Sequence, residues 1–324
     1  MSRVTELLGS RHPIMQGAMG VICNPELVAA VSNAGGFGLL ATAFATDPEA
    51  VRSQIGATRE LTENPFGVNL QVMNPLTQEF VRVLVDEGIR VVTVSGGSPK
   101  ALIPVLHDLG IRVIVVVATA EVAHKAEAIG ADALVAEGSE SGGIQGIKGV
   151  STMVLVPAVV DTVRIPVIAA GGICDGRTVA AAMALGAVGV QMGTRFIATK
   201  ECDFWDVWKR AVIKSSDRDT LVGRGMFGPM RFIKNAMSEK LVEKTTERIP
   251  AFYKGQPVEL DKEILEIERE GFSRLIEDDD EGSLILGGEV SGRIEDLLSV
   301  RELIERIAVE AEKIIKKLPK KVIV

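Results

Sequence analysis

Aromatic residues are scarce in this 324-residue chain, at 4% of positions with a single tyrosine and two tryptophans. A chain so poor in rings lacks the stacking platforms that single-strand nucleic-acid binders use. Its net charge of −7 repels phosphate backbones and anionic lipid surfaces alike. No nucleic-acid or membrane partner is therefore expected. Cysteine is rare too: Cys23, Cys174 and Cys202 are odd in number and far apart. That spacing predicts no disulfide framework and no metal site, and it suits free thiols in a reducing cytoplasm. No apolar run nears the length of a membrane helix, since Val113–Ala118 is only strand-sized. The first fifteen residues show no long apolar core or cleavage site, so no secretory signal is expected.

Apolar residues make up 47% of the chain, ample for a buried core, and they come in short runs that alternate with helical periods. Expected strands are His12–Gln16, Phe37–Ala41, Phe66–Leu70, Val91–Val94, Arg112–Val117, Ala133–Ala136, Pro166–Ala170 and Val188–Met192. Helices are expected between them, as at Pro25–Asn33 and after Asp47-Pro48, an N-cap followed by proline at the first helical position. Eight short apolar strands alternating with helices predict an α/β fold, a closed parallel (β/α)8 TIM barrel. After Phe196 the texture changes. Residues 200–282 carry more charge and most of the larger aromatics (Phe204, Trp205, Trp208, Tyr253), with helical periodicity near 203–213 and 229–245. They read as a small helical insertion capping the mouth, with 1–199 and 283–324 forming the barrel. Ile294–Ile315 has the spacing of the eighth outer helix, and the Lys316–Lys321 tail suits its C-terminal dipole.

Active sites of such barrels lie at the C-terminal strand ends. Strands seven and eight end in Gly171-Gly172 and Gly193-Thr194, turns that bare backbone N–H groups as a phosphate site requires. The other strand-end residues include Gln16-Gly17-Ala18-Met19, Asn69, Ser95-Gly96-Gly97 and Glu137 through Gly143. This rim is rich in amides and glycines and short of charge, a surface for a flat, polar-edged cofactor. His12 falls at the bottom of the barrel, and His107 and His124 fall inside outer helices, so no histidine is expected at the mouth.

Six segments then resemble one family: HPIMQGAMG, VSNAGGFGLL, FGVNL, ADALVAEGSESGG, the stretch Ile165–Phe196, and PMRFIKNAMSEKL. They are similar to the FMN-dependent nitronate monooxygenases (2-nitropropane dioxygenases) and the related FMN enoyl-ACP reductases. GGEVSGRIEDLLSV resembles the family's closing segment, with Glu289 where glutamine is expected. The resemblance implies an oxidoreductase with FMN at the barrel mouth. Gln16, Gly17, Ala18 and Met19 would lie against its ring and Asn69 at its polar edge. Ser141, Gly142, Gly171, Gly172, Gly193 and Thr194 would hold its phosphate and ribityl chain, with Glu137 and Gln191 beside it.

One departure bears on mechanism. Where the family usually reads Gly-Gly-His, with the histidine as acid or base, this chain reads Gly142-Gly143-Ile144-Gln145-Gly146. Ile144 cannot carry a proton, and Gln145, Lys148 and Glu140 are weak replacements. The expected activity is oxidation of alkyl nitronates with O2, which need no base. The alternatives are an enoyl-thioester reductase drawing on NAD(P)H and a flavin-binding barrel without catalysis. A nucleotide dehydrogenase of the purine type is set aside, because Gly138–Gly149 holds no cysteine nucleophile. The expected substrate is a small molecule or an acyl thioester, in the cytoplasm, with a homodimer as one form the resemblance allows.

Overall fold

A computed structural model describes residues 3–20, 24–147, 149–202, 205–225, 228–246 and 262–318. Its strands in chain order are β1 (Ile14–Gln16), β2 (Gly38–Ala41), β3 (Phe66–Gln71), β4 (Val91–Ser95), β5 (Arg112–Val117), β6 (Ala133–Glu137), β7 (Gly143–Ile144), β8 (Val167–Ala170) and β9 (Gly189–Met192). All but β7 belong to one parallel sheet, ordered β1-β9-β8-β6-β5-β4-β3-β2. A parallel bridge between Met15 and Phe37 brings its two edges together, so the sheet is a barrel and β8 and β9 are its seventh and eighth staves.

That last seam is closed in an unusual way. The main-chain ladder runs from Phe37 N–H to the Ile14 carbonyl and from Gln16 N–H to the Phe37 carbonyl. One step further up, the Gln16 side chain takes over. Its Oε1 accepts from Leu39 N–H at 3.0 Å and its Nε2 donates to the Leu39 carbonyl at 3.3 Å. A primary amide has the donor and acceptor of a peptide group, so it extends the ladder where β1 has stopped.

Alternation along the strands sorts the core into two layers. Met15, Phe37, Leu39, Val91, Ile114, Val135 and Ile168 pack inside the barrel, together with Val4 and Leu8 from helix Arg3–Leu8 at its N-terminal end. Their neighbours Ile14, Leu40, Val92, Val113, Leu134 and Ala169 point outward against the helices. Both faces are thus buried, as a parallel sheet requires. Local chemistry starts the helices. Asn24 and Asp47 accept from N–H groups of the first turns of Pro25–Asn33 and Pro48–Leu61, each with proline at the start. Asp175 and Thr178 form a capping box on helix Gly176–Ala184. The final helix, Val300–Lys317, packs on helices Gly176–Ala184 and Pro25–Asn33; the end of the basic tail lies outside the described residues.

The insertion departs from expectation. The periodicity near 203–213 is realised as helix Asp206–Lys214, but 229–245 is not one helix. Gly228–Ile233 is a strand, and helix begins only at Ala236. This strand pairs with Thr220–Gly225 on one side and with β7 on the other, Met230 opposite Ile144 and Arg231 opposite Gly143. Period two explains it: Met230 and Phe232 face a core completed by Met237, Leu241, Ile264, Ile267 and Leu284, while Ile233 joins the barrel's core. The insertion is therefore a three-stranded sheet with helices, stitched to the loop that follows β6. Cys23, Phe204 and Tyr253 lie outside the described residues.

Candidate active site

The inward side chains change character at the C-terminal end of the barrel. Above the apolar layers stand Asn69 and Gln71 from β3, Thr93 and Ser95 from β4, Glu137 from β6 and Gln191 from β9, each on the inward alternation of its strand. Asn69 is pinned: its Nδ2 donates to Thr93 Oγ1 at 2.9 Å and to Ser95 Oγ at 3.2 Å. Gln191 lies against Gly17, where an added Cβ would meet its Nε2 at 3.4 Å. Ala18 packs at the edge of the interior layer. Met19 brings its sulfur to 3.4 Å from the place a Gly193 Cβ would occupy. The structure places Gly17, Met19, Asn69, Glu137, Gln191 and Gly193 at one mouth. Gln16 stands at the same corner, its side chain bonded to Leu39 across the seam and to the Gly17 carbonyl.

On the other side, three turns converge. Gly171 and Gly172 adopt φ of 86° and 71°, values that favour glycine. A Cβ on Gly171 would sit 2.7 Å from the Gly138 carbonyl oxygen, and one on Gly142 would sit 2.6 Å from Gly287 C and Gly288 N. Gly288 N–H donates to Thr194 Oγ1 at 3.0 Å, and Glu289 N–H to the Glu140 carbonyl at 2.9 Å. The loop after β6 therefore meets the turn after β8 on one side and segment 287–289 on the other, and Thr194 after β9 holds that segment through its hydroxyl. Within this cradle the Ser141 hydroxyl is buried with no hydrogen-bond partner. A buried orphan hydroxyl among crowded glycine turns fits an anionic oxygen arriving from a ligand.

Several weak candidates are accounted for. Both carboxylate oxygens of Glu140 accept from Thr152, at 2.8 and 3.0 Å from its N–H, so Glu140 caps helix Thr152–Thr162. Gln145 Nε2 donates to the Ser139 and Ser141 carbonyls at 2.7 and 2.8 Å, bracing its own loop. Ile144 packs against the insertion's core beside Met230 and Leu286. Lys148 lies outside the described residues. His12 precedes β1 at the barrel's foot, where burial and the neighbouring Arg11 lower its pKa. His107 sits in helix Leu102–Asp108, its Nε2 3.0 Å from Asp132 Oδ2, and His124 in helix Ala120–Ala128. No histidine reaches the mouth. Cys174, just past Gly172, is no nucleophile: burial and Asp175 push its thiol up to about 11.

Glu137 is different. Burial pushes its carboxyl up to about 7. The Ser141 hydroxyl pulls the other way, from nearby but without a hydrogen bond of normal geometry. Sequence reasoning missed two further parts. Buried Arg231 donates from Nη2 to the Ser139 carbonyl at 2.8 Å and pairs with Glu289 at 3.0 Å, strapping the insertion to the cradle. Burial lowers its pKa while Glu289 and Glu140 raise it. Gly287-Gly288 presses on Gly142; its sequence signal was the glycine doublet that opens GGEVSGRIEDLLSV. An open cavity of about 750 Å³ lies at the opposite end beside Arg112, Asp132 and Arg164. Barrel chemistry does not occur at that end, and Arg112 there is engaged with the Glu6 and Leu7 carbonyls.

A parallel barrel with an amide-and-glycine mouth, an anion cradle after its last two strands and no metal cluster among the described residues defines a class: TIM-barrel enzymes that hold a flat nucleotide cofactor largely through backbone. The chain belongs to the nitronate monooxygenase family, whose model matches residues 1–83 and 76–310, and it is a flavin oxidoreductase. It is 33% identical to a Mycobacterium tuberculosis (3aS,4S,5R,7aS)-5-hydroxy-7a-methyl-1-oxo-octahydro-1H-indene-4-carboxyl-CoA dehydrogenase, with 95% of each chain covered. The Rhodococcus jostii protein of the same name is 42% identical over 225 residues, 69% of this chain and 63% of that one. Among solved structures, FabK from Thermotoga maritima superposes with a TM-score of 0.89 at 39% identity, covering 99% of both chains. Among the described residues no helix is long and apolar enough to cross a membrane.

Proposed function

We propose that this chain is an FMN-dependent oxidoreductase acting on an acyl thioester, with NAD(P)H as electron donor. The observation that carries the substrate class is the lip of the mouth. Phe44 after β2, Met73 after β3 and Ile147 after β7 are 48%, 53% and 70% exposed, large apolar side chains ringing a polar interior. Such a lip offers a surface to a hydrocarbon chain and nothing to a small nitronate. The relatives named for carboxyl-CoA substrates support the same reading.

FMN, when bound, supplies two-electron chemistry between the nicotinamide donor and the substrate. The chain's own residues bind and orient. Ser141, Gly142, Gly171, Gly172, Gly193 and Thr194 would hold the phosphate, and Asn69, already fixed by Thr93 and Ser95, would present its amide to the ring edge. Reduction of an enoyl thioester, with NAD(P)H and one proton consumed per double bond, needs positioning more than a side-chain base.

A second reading, oxidation of anionic nitronates with O2, is favoured by Ile144. A substrate already deprotonated needs no base, whereas neutral nitroethane does and would lose about 10²–10⁴-fold in rate. Anaerobic oxidation of NADH or NADPH with crotonyl thioester, set against oxygen uptake with ethyl nitronate, tests the two. Turnover of nitronate alone would refute the thioester reading. A yellow protein whose flavin neither nicotinamide reduces would be a binding barrel without catalysis.

A further inference from the structure

The mouth contains one acid that the proposed reaction leaves unused. Glu137 closes β6, and the alternation of that strand turns Val135 and Glu137 into the barrel and Ala136 outward. Its register partner on β8 is Ala170, and β5 on the other side brings Val116 and Val117. The loop above it contributes the unpartnered Ser141 hydroxyl. Across the mouth Asn69 and Gln191 are neutral amides. The charged groups on the segments packed around it are engaged elsewhere: Glu140 on Thr152, and Arg231 on the Ser139 carbonyl and Glu289. Among the described residues of these elements, no basic group compensates a charge on Glu137.

We infer that Glu137 enters the flavin-bound state as a neutral acid that donates a hydrogen bond to the cofactor, so that flavin binding takes up a proton. The inference rests on the FMN reading above. Two physical effects drive it. Seating a ring over the mouth removes the remaining water from Glu137, and desolvation disfavours the carboxylate. The Ser141 hydroxyl lies near Glu137 and within the cradle, so a phosphate held there, with about −1.5 to −2 of charge, sits close to the same carboxyl and repels its ionised form. A group already poised near 7 without ligand is then driven to the protonated side on binding.

The test is a titration of the flavin-free, full-length chain with FMN from pH 6 to 9, followed by quenching of flavin fluorescence. Calorimetry in buffers of different ionisation heat counts the protons. In the wild type, Kd is expected to be flat below pH 7 and to weaken by up to about tenfold per pH unit above it. Glu137→Gln, an uncharged donor, removes that pH dependence, and at pH 8 it takes up about one proton fewer per FMN than the wild type. Comparison of the two chains cancels the titration of FMN's own phosphate. Ser141→Ala, which removes the hydroxyl that holds the Glu137 carboxyl down, moves the onset to higher pH. Should Glu137→Gln fail to fold, an unmoved onset in Ser141→Ala overturns the inference. Parallel loss of affinity in wild type and Glu137→Gln overturns it while leaving the FMN reading intact. A wild type that binds no FMN at any pH overturns the FMN reading itself.

Discussion

Replacing Gly142 by alanine tests whether the cradle is built by backbone contact. The φ of Gly142 lies outside the left-handed region, so alanine fits its backbone, and the whole effect comes from one methyl group. That methyl would stand 2.6 Å from Gly287 C and Gly288 N and 2.8 Å from Gly287 Cα. All three are main-chain atoms, so no rotamer change relieves the clash. Carbon contacts settle at about 3.5–4.0 Å, and the 287–288 segment must retreat by about 1 Å. Overpacking of this kind costs about 1–3 kcal/mol. The retreat also stretches two hydrogen bonds past their limit, Gly288 N–H to Thr194 Oγ1 and Glu289 N–H to the Glu140 carbonyl, at about 1 kcal/mol each. Gly142→Ala is thus expected to lose about 3 kcal/mol or more, lowering Tm by roughly 5 °C, and to weaken FMN binding at least about tenfold. Gly56→Ala is the control. Gly56 lies inside helix Pro48–Leu61 with nothing within 4 Å of an added Cβ. Alanine there should stabilise by about 0.5–1 kcal/mol and leave FMN affinity unchanged. A Gly142→Ala protein with wild-type melting and wild-type FMN affinity would show that segment 287–288 does not press on the loop after β6.

Arg231→Lys keeps the charge but not the fork that reaches the Ser139 carbonyl, Thr220 and Glu289 together. It should cost about 1–3 kcal/mol in denaturant unfolding, and a loss under 0.5 kcal/mol would contradict the strap. Ile144→His restores the residue type of the resembling family, but the side chain at 144 meets Met230 and Leu286. At this half-buried position an imidazole loses part of its water without a partner, so stability should fall by about 1 kcal/mol with no gain in nitroethane turnover; a gain would place the side chain at the mouth. Glu137 makes the fold itself sensitive to pH. Its carboxyl stands at about 7 when folded against 4.5 in a free chain, so its stabilising share is full below 4.5 and is lost as pH rises to 7. The loss is at most about 3 kcal/mol, given the screening at the open mouth. Thermal melts of wild type and Glu137→Gln should therefore diverge between pH 4.5 and 7, the variant becoming relatively more stable. Melts that stay parallel would refute the raised acid.

The barrel was legible because each of its elements is encoded locally. Asp47-Pro48 starts a helix wherever it occurs in a suitable frame, and a run such as Val113–Val117 reads as a buried strand without reference to its partners. The cradle glycines were legible for the same reason: two consecutive strands end in turns that strip the backbone bare. What escaped depends on contacts between distant residues. Gly228–Ile233 becomes a strand by pairing with Gly143–Ile144, more than eighty positions upstream, and Pro229 through Asn235 could be fitted to a helical period when read alone. Arg231 gains its role from that same pairing. Gln16 and Gln145 were recognised as amides near the mouth, but an amide serves a ligand or a neighbouring main chain equally well. Only the closed seam and the folded loop show that both are engaged by main-chain groups.

The Gln16 seam also sets how stiff the rim can be. Seven of the eight junctions between staves are ruled by main-chain pairing, which mutation barely touches because every residue brings the same peptide group. The eighth is finished by a removable part. Whatever replaces that side chain decides how firmly the Gly17–Met19 corner is moored to its neighbour, so the compliance of that corner of the entrance is written in a single codon.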